Sequence, residues 1–441
     1  MGYPGWGTGI LRRLASILLW SVIAAAFIGP GTVTTAAAAG ASHGFALLWA
    51  LVFSTVACVV LQEASGRLTV VSGQTLGQVL RTRYSASVRG LLLLALVLGA
   101  ILLGCAAYEA GNILGGVAGA VMATGWSATP LTLLSGAVAA ALLWSQAPRR
   151  VARLLSAIVA IMGVAFLVTA WRVGPPILDV IRGSFVPSLP AGSGVLVLGL
   201  IGTTVVPYNI FLGSGLAGGQ KLGELRLGLA LAVGLGGLIS MGILIVGSAV
   251  EGPFSFEALA VVLSSELGGW ASKLFALGLL GAGLSSAITA PLAAAITARG
   301  VLSRGTSDTR WGVRSWRYRA IWIGVLLAGV GFGISDVRPI PVIILAQALN
   351  GVLLPVVAVF LFVAVNDRDL LEDHANGPFS NVLMGVVVAL SLLLGMSAIG
   401  RAGARTLGME APPLIYIVGA TGVVAVIVGL AVRRSFVSRG G

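Results

Sequence analysis

Gly29-Pro30-Gly31-Thr32 and Val206-Pro207-Tyr208-Asn209 interrupt stretches that are otherwise apolar, and each holds residue types that open a helix. Proline removes an amide donor and glycine loosens the turn, so backbone N–H and C=O groups are freed at both places. Hydrocarbon cannot satisfy such groups. At membrane depth they are tolerated only where they face protein or a wet cavity. The first break directs the free amides and positive end of a half-helix beginning near Thr32 into that cavity, with the hydroxyls of Thr32, Thr34 and Thr35 beside them. The second adds Tyr208 and Asn209, preceded by Thr203, and Gln347 lies in a later span. This chemistry holds a small solute by hydrogen bonds and suits an anion better than a cation. Competing readings give the threonines to capping and back-bonding of the half-helix, Asn209 to the scaffold, and the prolines to kinks without a ligand.

Of the fourteen Asp and Glu, thirteen fall in loops or near span ends, Glu63 among them at the inner end of the second span. Glu109 alone is deep. An ionisable residue at mid-membrane is costly in its charged form and is a functional candidate by default. Glu109 is expected to load and release a proton; the alternative is a neutral glutamic acid hydrogen-bonded between helices. Cys58 and Cys105 lie within spans and read as small packing residues, too few for a disulfide framework or a zinc site. His43 and His374 form no ligand cluster, and the acidic loop Asp367, Asp369, Glu372 and Asp373 lacks the turn glycine of an EF-hand. Without a Walker motif, ATP is not the expected energy source. No enzyme activity, metal site or cofactor is expected.

Membrane helices carry these residues. The chain has 441 residues, 57% hydrophobic and 9% charged, and its mean hydropathy of +1.03 excludes a water-soluble domain. Apolar windows run over 14–39, 45–62, 90–120, 130–147, 151–172, 193–218, 227–250, 270–298, 320–335, 340–365, 381–400 and 412–432. The first reads as a retained helix rather than a signal peptide, for no small-residue cleavage site follows it. A net charge of +13 raises nucleic acid as a partner, but the basic residues fall in alternate loops. Placing the N-terminus in the cytoplasm puts 21 of the 27 Lys and Arg on that side, Arg67 and the run from Arg299 to Arg319 included. Both termini are then cytoplasmic. The partners are a lipid bilayer and a small-molecule or ion substrate, with no nucleic acid; oligomeric state is not encoded legibly. Trp20, Trp49, Trp144, Trp171, Trp270 and Trp322 lie near span ends, as interfacial anchors do, and the glycine-rich stretches at 115–116, 234–237 and 278–283 supply small packing faces.

From one break to the next the count advances by five helices, and an odd number per repeat sets the two halves in opposite orientations. This is the logic of the LeuT-type fold: all-α, integral to the membrane, a 5+5 inverted repeat with helices 1 and 6 broken and 11 or 12 transmembrane helices. One transport domain over 1–441 is expected, with repeats at 14–172 and 193–365 and peripheral helices at 381–432.

At these residues the chain resembles the Nramp family of divalent-metal transporters. "AAFIGPGTVTTAAAAGASHGFALLWALV" and "LQEASGRL" are similar to the family's opening, where an Asp-Pro-Gly-Asn break precedes a Gly-Ala-x-x-Gly-x-x-Leu-Leu-Trp stretch. "GLIGTTVVPYNIFLGS" resembles its Met-Pro-His-Asn segment, and "LFALGLLGAGLSSAIT" and "ILAQALNGVLLP" its eighth and tenth helices. The resemblance runs from about Trp20 to about Leu394 and implies a secondary transporter. It departs at the metal ligands. The family's Asp position is Gly29, its Asn is Thr32, its Met is Val206, its histidine is Tyr208, and a second histidine position is Gly213. Gln347 is retained, and Glu109 stands where the family has a glutamate implicated in its proton route, although the aspartate expected three residues earlier is Ala106.

A bound dication needs anionic or strongly coordinating ligands, which the side chains of Gly29 and Val206 do not supply. The expected cargo is therefore a small carboxylate-bearing organic solute, held by Gly29, Gly31, Thr32, Thr35, Thr203, Val206, Tyr208, Asn209 and Gln347 and coupled to protons through Glu109. The alternative is a divalent cation, Mg²⁺ or Mn²⁺, still hydrated and held by carbonyls at the breaks with Gln347, Asn209 and Glu109. A second alternative is a non-transporting sensor, for which the short stretch after Arg434 offers no output module. The expected location is the bacterial cytoplasmic membrane.

Overall fold

The computed structural model describes residues 28–145, 149–303, 308–406 and 412–437. Apolar runs fold as helices whose ends are set by the glycines, serines and prolines between them. α1 (Pro30–His43) opens on a proline, whose fixed φ and missing N–H suit a first helical position. α2 (Leu48–Ser72) stops at left-handed Gly73, φ 69°. The short α3 (Leu76–Tyr84) is held by a capping box between Thr75 and Gln78. α4 (Val88–Thr124) begins where the Ser87 hydroxyl accepts from the Gly90 N–H at 3.0 Å. There follow α5 (Ala128–Ser145), α6 (Arg149–Arg172), α7 (Ile177–Phe185), α8 (Gly194–Thr204), α9 (Pro207–Ala217) and α10 (Leu222–Gly247). The chain continues through α11 (Phe256–Leu267), α12 (Trp270–Leu302), α13 (Trp316–Ile334), α14 (Pro339–Ala364), α15 (Arg368–Leu371), α16 (Pro378–Thr406) and α17 (Leu414–Val437). No strand occurs among the described residues.

Ten helical stretches among the described residues are long and apolar enough to cross a membrane, α8 and α9 together making one. They coincide with the second to eleventh windows of the sequence. The first half of the first window, up to residue 27, lies outside the described residues.

Three differences have physical causes. The second helix extends to Ser72, so Glu63 and Arg67, expected at a span end and in a loop, both lie inside α2. They are tolerated there because they pair: Arg67 Nε meets Glu63 Oε1 at 3.1 Å, and Arg226 Nε reaches the same oxygen at 2.9 Å. Buried Arg67 also donates to Asn376 Oδ1 at 2.6 Å and to the His374 carbonyl. The non-spanning helices α3, α7 and α11 are too short for a window of membrane length to detect. Trp322 is 4% exposed, packed edge-on to Trp144 at 6.3 Å, and faces protein instead of anchoring at the interface.

Among the described residues α4 and α12 share the most extensive helix–helix contact. Their backbones approach because Gly116 meets Gly283: a Cβ on Gly116 would lie 3.1 Å from the Gly283 Cα. α1 runs beside this pair, packed on α10, α14 and α8, so the helix start at Gly29-Pro30 is enclosed on all sides.

Candidate functional site

Gly29 is extended, with φ −84° and ψ 172°, and the helix starts at the next residue. On the opposite side of the site, α8 ends at Thr204, Val205 and Val206 are non-helical, and α9 restarts at Pro207. Pro207 has no N–H to return to the Thr203 carbonyl one turn back. The two breaks are tied directly, because the hydroxyls of Thr32 and Thr203 are hydrogen-bonded at 2.9 Å. Thr34 back-bonds to the Pro30 carbonyl at 2.7 Å, so the capping reading holds for that threonine. Thr35 presents a hydroxyl that is buried and unpartnered. Pro30 itself is wedged against Gly115 of α4, where a Cβ would overlap the ring.

Two neighbouring helices line the space beside position 29. A Cβ on Gly29 would lie 3.3 Å from Ser286 Oγ of α12 and 3.7 Å from the Tyr108 hydroxyl of α4. Neither hydroxyl makes a hydrogen bond of good geometry, although the Tyr108 oxygen sits beside Thr203 and Tyr208. The Tyr108 and Tyr208 rings meet edge-on, 5.3 Å between centroids at 83°. At Gly213, one turn further along α9, the vacant position is filled from α2: a Cβ there would overlap Gln62 Oε1, another unpartnered buried acceptor.

Gln347 completes the centre from α14. It is 0% exposed, and neither its carbonyl nor its amide nitrogen has a partner. Its amide fits only because Gly31 of α1 has no side chain, a Cβ there striking it outright, and its nitrogen lies 3.6 Å from where a Cβ on Gly111 would be. Asn350, one turn on, places its own unpartnered carbonyl against Gly104 of α4.

The structure thus gathers Gly29, Gly31, Thr32, Thr35, Thr203, Val206, Tyr208 and Gln347 around the two breaks, with Asn209 buried in the first turn of α9. Glu109 is fully buried but turned another way. Its side chain packs on Gly329 of α13, one carboxylate oxygen accepts from Asn112 Nδ2 at 3.3 Å, and the other is unpartnered. Sequence reasoning missed Tyr108, Ser286, Gln62 and Asn350. The only signal was adjacency, Tyr108 to Glu109 and Ser286 to the glycine run of α12. Among the described residues no three His, Cys, Asp or Glu side chains converge.

Leaving a buried polar atom unsatisfied costs about 1–3 kcal/mol. The centre holds several such atoms, and what it can do chemically is hydrogen-bond a small polar guest without contributing a formal charge.

The family described as natural resistance-associated macrophage protein-like matches residues 21–400. The divalent metal cation transporter MntH of Deinococcus radiodurans is 30% identical over 380 residues, 81% of this chain and 84% of its own. A crystal structure of an Eremococcus coleocola manganese transporter, in complex with an aromatic bis-isothiourea substituted compound, has a TM-score of 0.71 at 19% identity and covers 99% of this chain and 98% of its own. Mhp1, a nucleobase-cation-symport-1 family transporter in a closed conformation with bromovinylhydantoin bound, has a TM-score of 0.56 at 15% identity, covering 94% and 92%. The structural likenesses fix the fold as LeuT-type; among the described residues helix 6 is broken at Val205 and Val206. The family match over nearly the whole chain, joined to paired breaks in an all-helical membrane fold, identifies this protein as a member of the Nramp family of integral membrane transporters, and not an enzyme.

Proposed function

We propose that this protein is a secondary active transporter of a divalent cation, Mg²⁺ or Mn²⁺, which it takes with part of its water shell. The observation that carries the reading is the acceptor-rich set of unpartnered groups. Around and below the breaks stand the amide carbonyls of Gln347, Gln62 and Asn350 and the hydroxyls of Thr35 and Ser286; the one pure donor is the Gln347 nitrogen. A hydrated cation presents only O–H donors to its surroundings, and Mg²⁺ in particular gives up its waters reluctantly. A site lacking carboxylate, imidazole and thioether can hold such an ion through its waters and backbone carbonyls where it cannot hold a bare one. The function named for the Deinococcus relative supports the same cargo class.

A carboxylate-bearing organic solute is the second reading. It is favoured by the helix starts at Pro30 and Pro207, whose free amides suit an anion, and by the absence of acidic side chains from the centre. Calorimetry on the purified protein separates the two. Saturable heat with Mg²⁺ or Mn²⁺ in the micromolar range is expected; heat from small carboxylic acids with none from either metal would replace the cation reading by the second.

In this proposal Glu109 carries the coupled proton on the α13 side of α4. Residues 14–172 and 193–365 form the two repeats, 381–432 the peripheral helices, and both termini face the cytoplasm of a bacterial cell. The positive-inside distribution of Lys and Arg supports the orientation.

A further inference from the structure

We propose that the basic-loop ends of α5, α12 and α13 form a binding site for an anionic phospholipid. The inference is independent of the transported cargo and rests on the orientation given above. A cavity of about 200 Å³ opens here, walled by Leu143 of α5, Ile288 and Leu292 of α12 and Trp322 of α13, with Arg319 at its edge. Leu143 and Trp322 belong to the last turns of α5 and the first turns of α13.

Arginines are posed around the mouth by aromatic faces. The Arg319 guanidinium lies 3.9 Å over the Trp144 ring, and that of Arg299 lies 6.0 Å over Tyr318. A guanidinium stacked on a ring keeps its N–H edge free for a planar, bidentate partner such as phosphate. Arg314 and Arg317 are exposed on the same segment. Among the described residues none of these four arginines pairs with a carboxylate; the neighbouring acid, Asp308, is engaged with Arg310 at 3.0 Å. Trp316, 71% exposed, stands beside them at the level of an interfacial anchor.

An apolar slot below unpaired arginines matches a lipid with acyl chains and a negatively charged head. A zwitterionic lipid fills the slot but leaves the local positive charge uncompensated.

The test uses the full-length protein in phosphatidylcholine nanodiscs, titrated with phosphatidylglycerol and, separately, with inorganic phosphate, reading the melting temperature. Phosphatidylglycerol is expected to give a saturable rise of roughly 2–4 °C by linkage, and phosphate none. The rise should be lost in the double variant Arg299→Gln/Arg319→Gln and in Leu292→Trp, which fills the slot and leaves the arginines in place. It should persist in Arg401→Gln, a surface charge far along the chain on the opposite side. Equal stabilisation by phosphate alone, no dependence on phosphatidylglycerol, or a full rise retained in Leu292→Trp would each overturn the proposal.

Discussion

Gln347 holds a primary amide with no partner, pressed against Gly31 of α1 and facing Gly111 of α4, and a group so placed either waits for a guest or weakens the fold. Gln347→Leu keeps the volume and removes both polar atoms. If the amide serves the cargo, uptake into proteoliposomes should fall at least about ten-fold while the melting temperature holds or rises, since up to about 1–3 kcal/mol of unpaired polarity is removed. A purely structural glutamine would give unchanged uptake. Glu109→Gln tests the other buried group, because the amide keeps the shape and the contact with Asn112 but cannot carry a proton. Uptake driven by a pH gradient should be lost and equilibrium binding of the cargo retained; loss of both, or of neither, would remove Glu109 from the coupling step.

At the scale of elements, α2 is braced to the segment between α15 and α16 through Arg67, which serves Glu63, Asn376 and the His374 carbonyl together. Arg83 of α3 pairs with Asp367, the residue that caps the start of α15. Truncating a buried, multiply bonded charge leaves its partners unpaired, so Arg67→Ala should destabilise by about 3–5 kcal/mol. Thermal unfolding should show Arg67→Lys recovering only part of this, because an ammonium cannot address those partners with one planar fork. This brace was not legible in the sequence. A hydropathy window ends where charge begins, so it stopped at residue 62 and sent Arg67 to a loop. The breaks were legible, since Pro30 and Pro207 are helix starts that backbone chemistry alone dictates. The direction of Glu109 was not, because a one-residue step along α4 turns a side chain by about 100°, and only packing on Gly329 reveals which neighbour it meets. Trp322 failed for a similar reason: nearness to a span end does not say whether a ring faces lipid or protein.

For the whole molecule, the orientation inferred from basic loops is open to direct labelling. Cys58 and Cys105 are buried and free, so an impermeant maleimide meets little background. Ser127→Cys, exposed between α4 and α5, should label in intact cells, and Thr309→Cys, exposed before α13, only after permeabilisation; the reverse pattern inverts the topology. The neutral centre has a consequence for descent. Its vacant ligand positions are occupied by substitutes from other helices: Ser286 and Tyr108 stand over Gly29, and Gln62 over Gly213. A side chain introduced at Gly213 has to displace the flexible Gln62 amide, whereas at Gly29 a first carbon comes into near contact with Ser286 and Tyr108. The way back to a chelating side chain at either position thus runs past movable side chains of α2, α4 and α12 and not through rigid backbone.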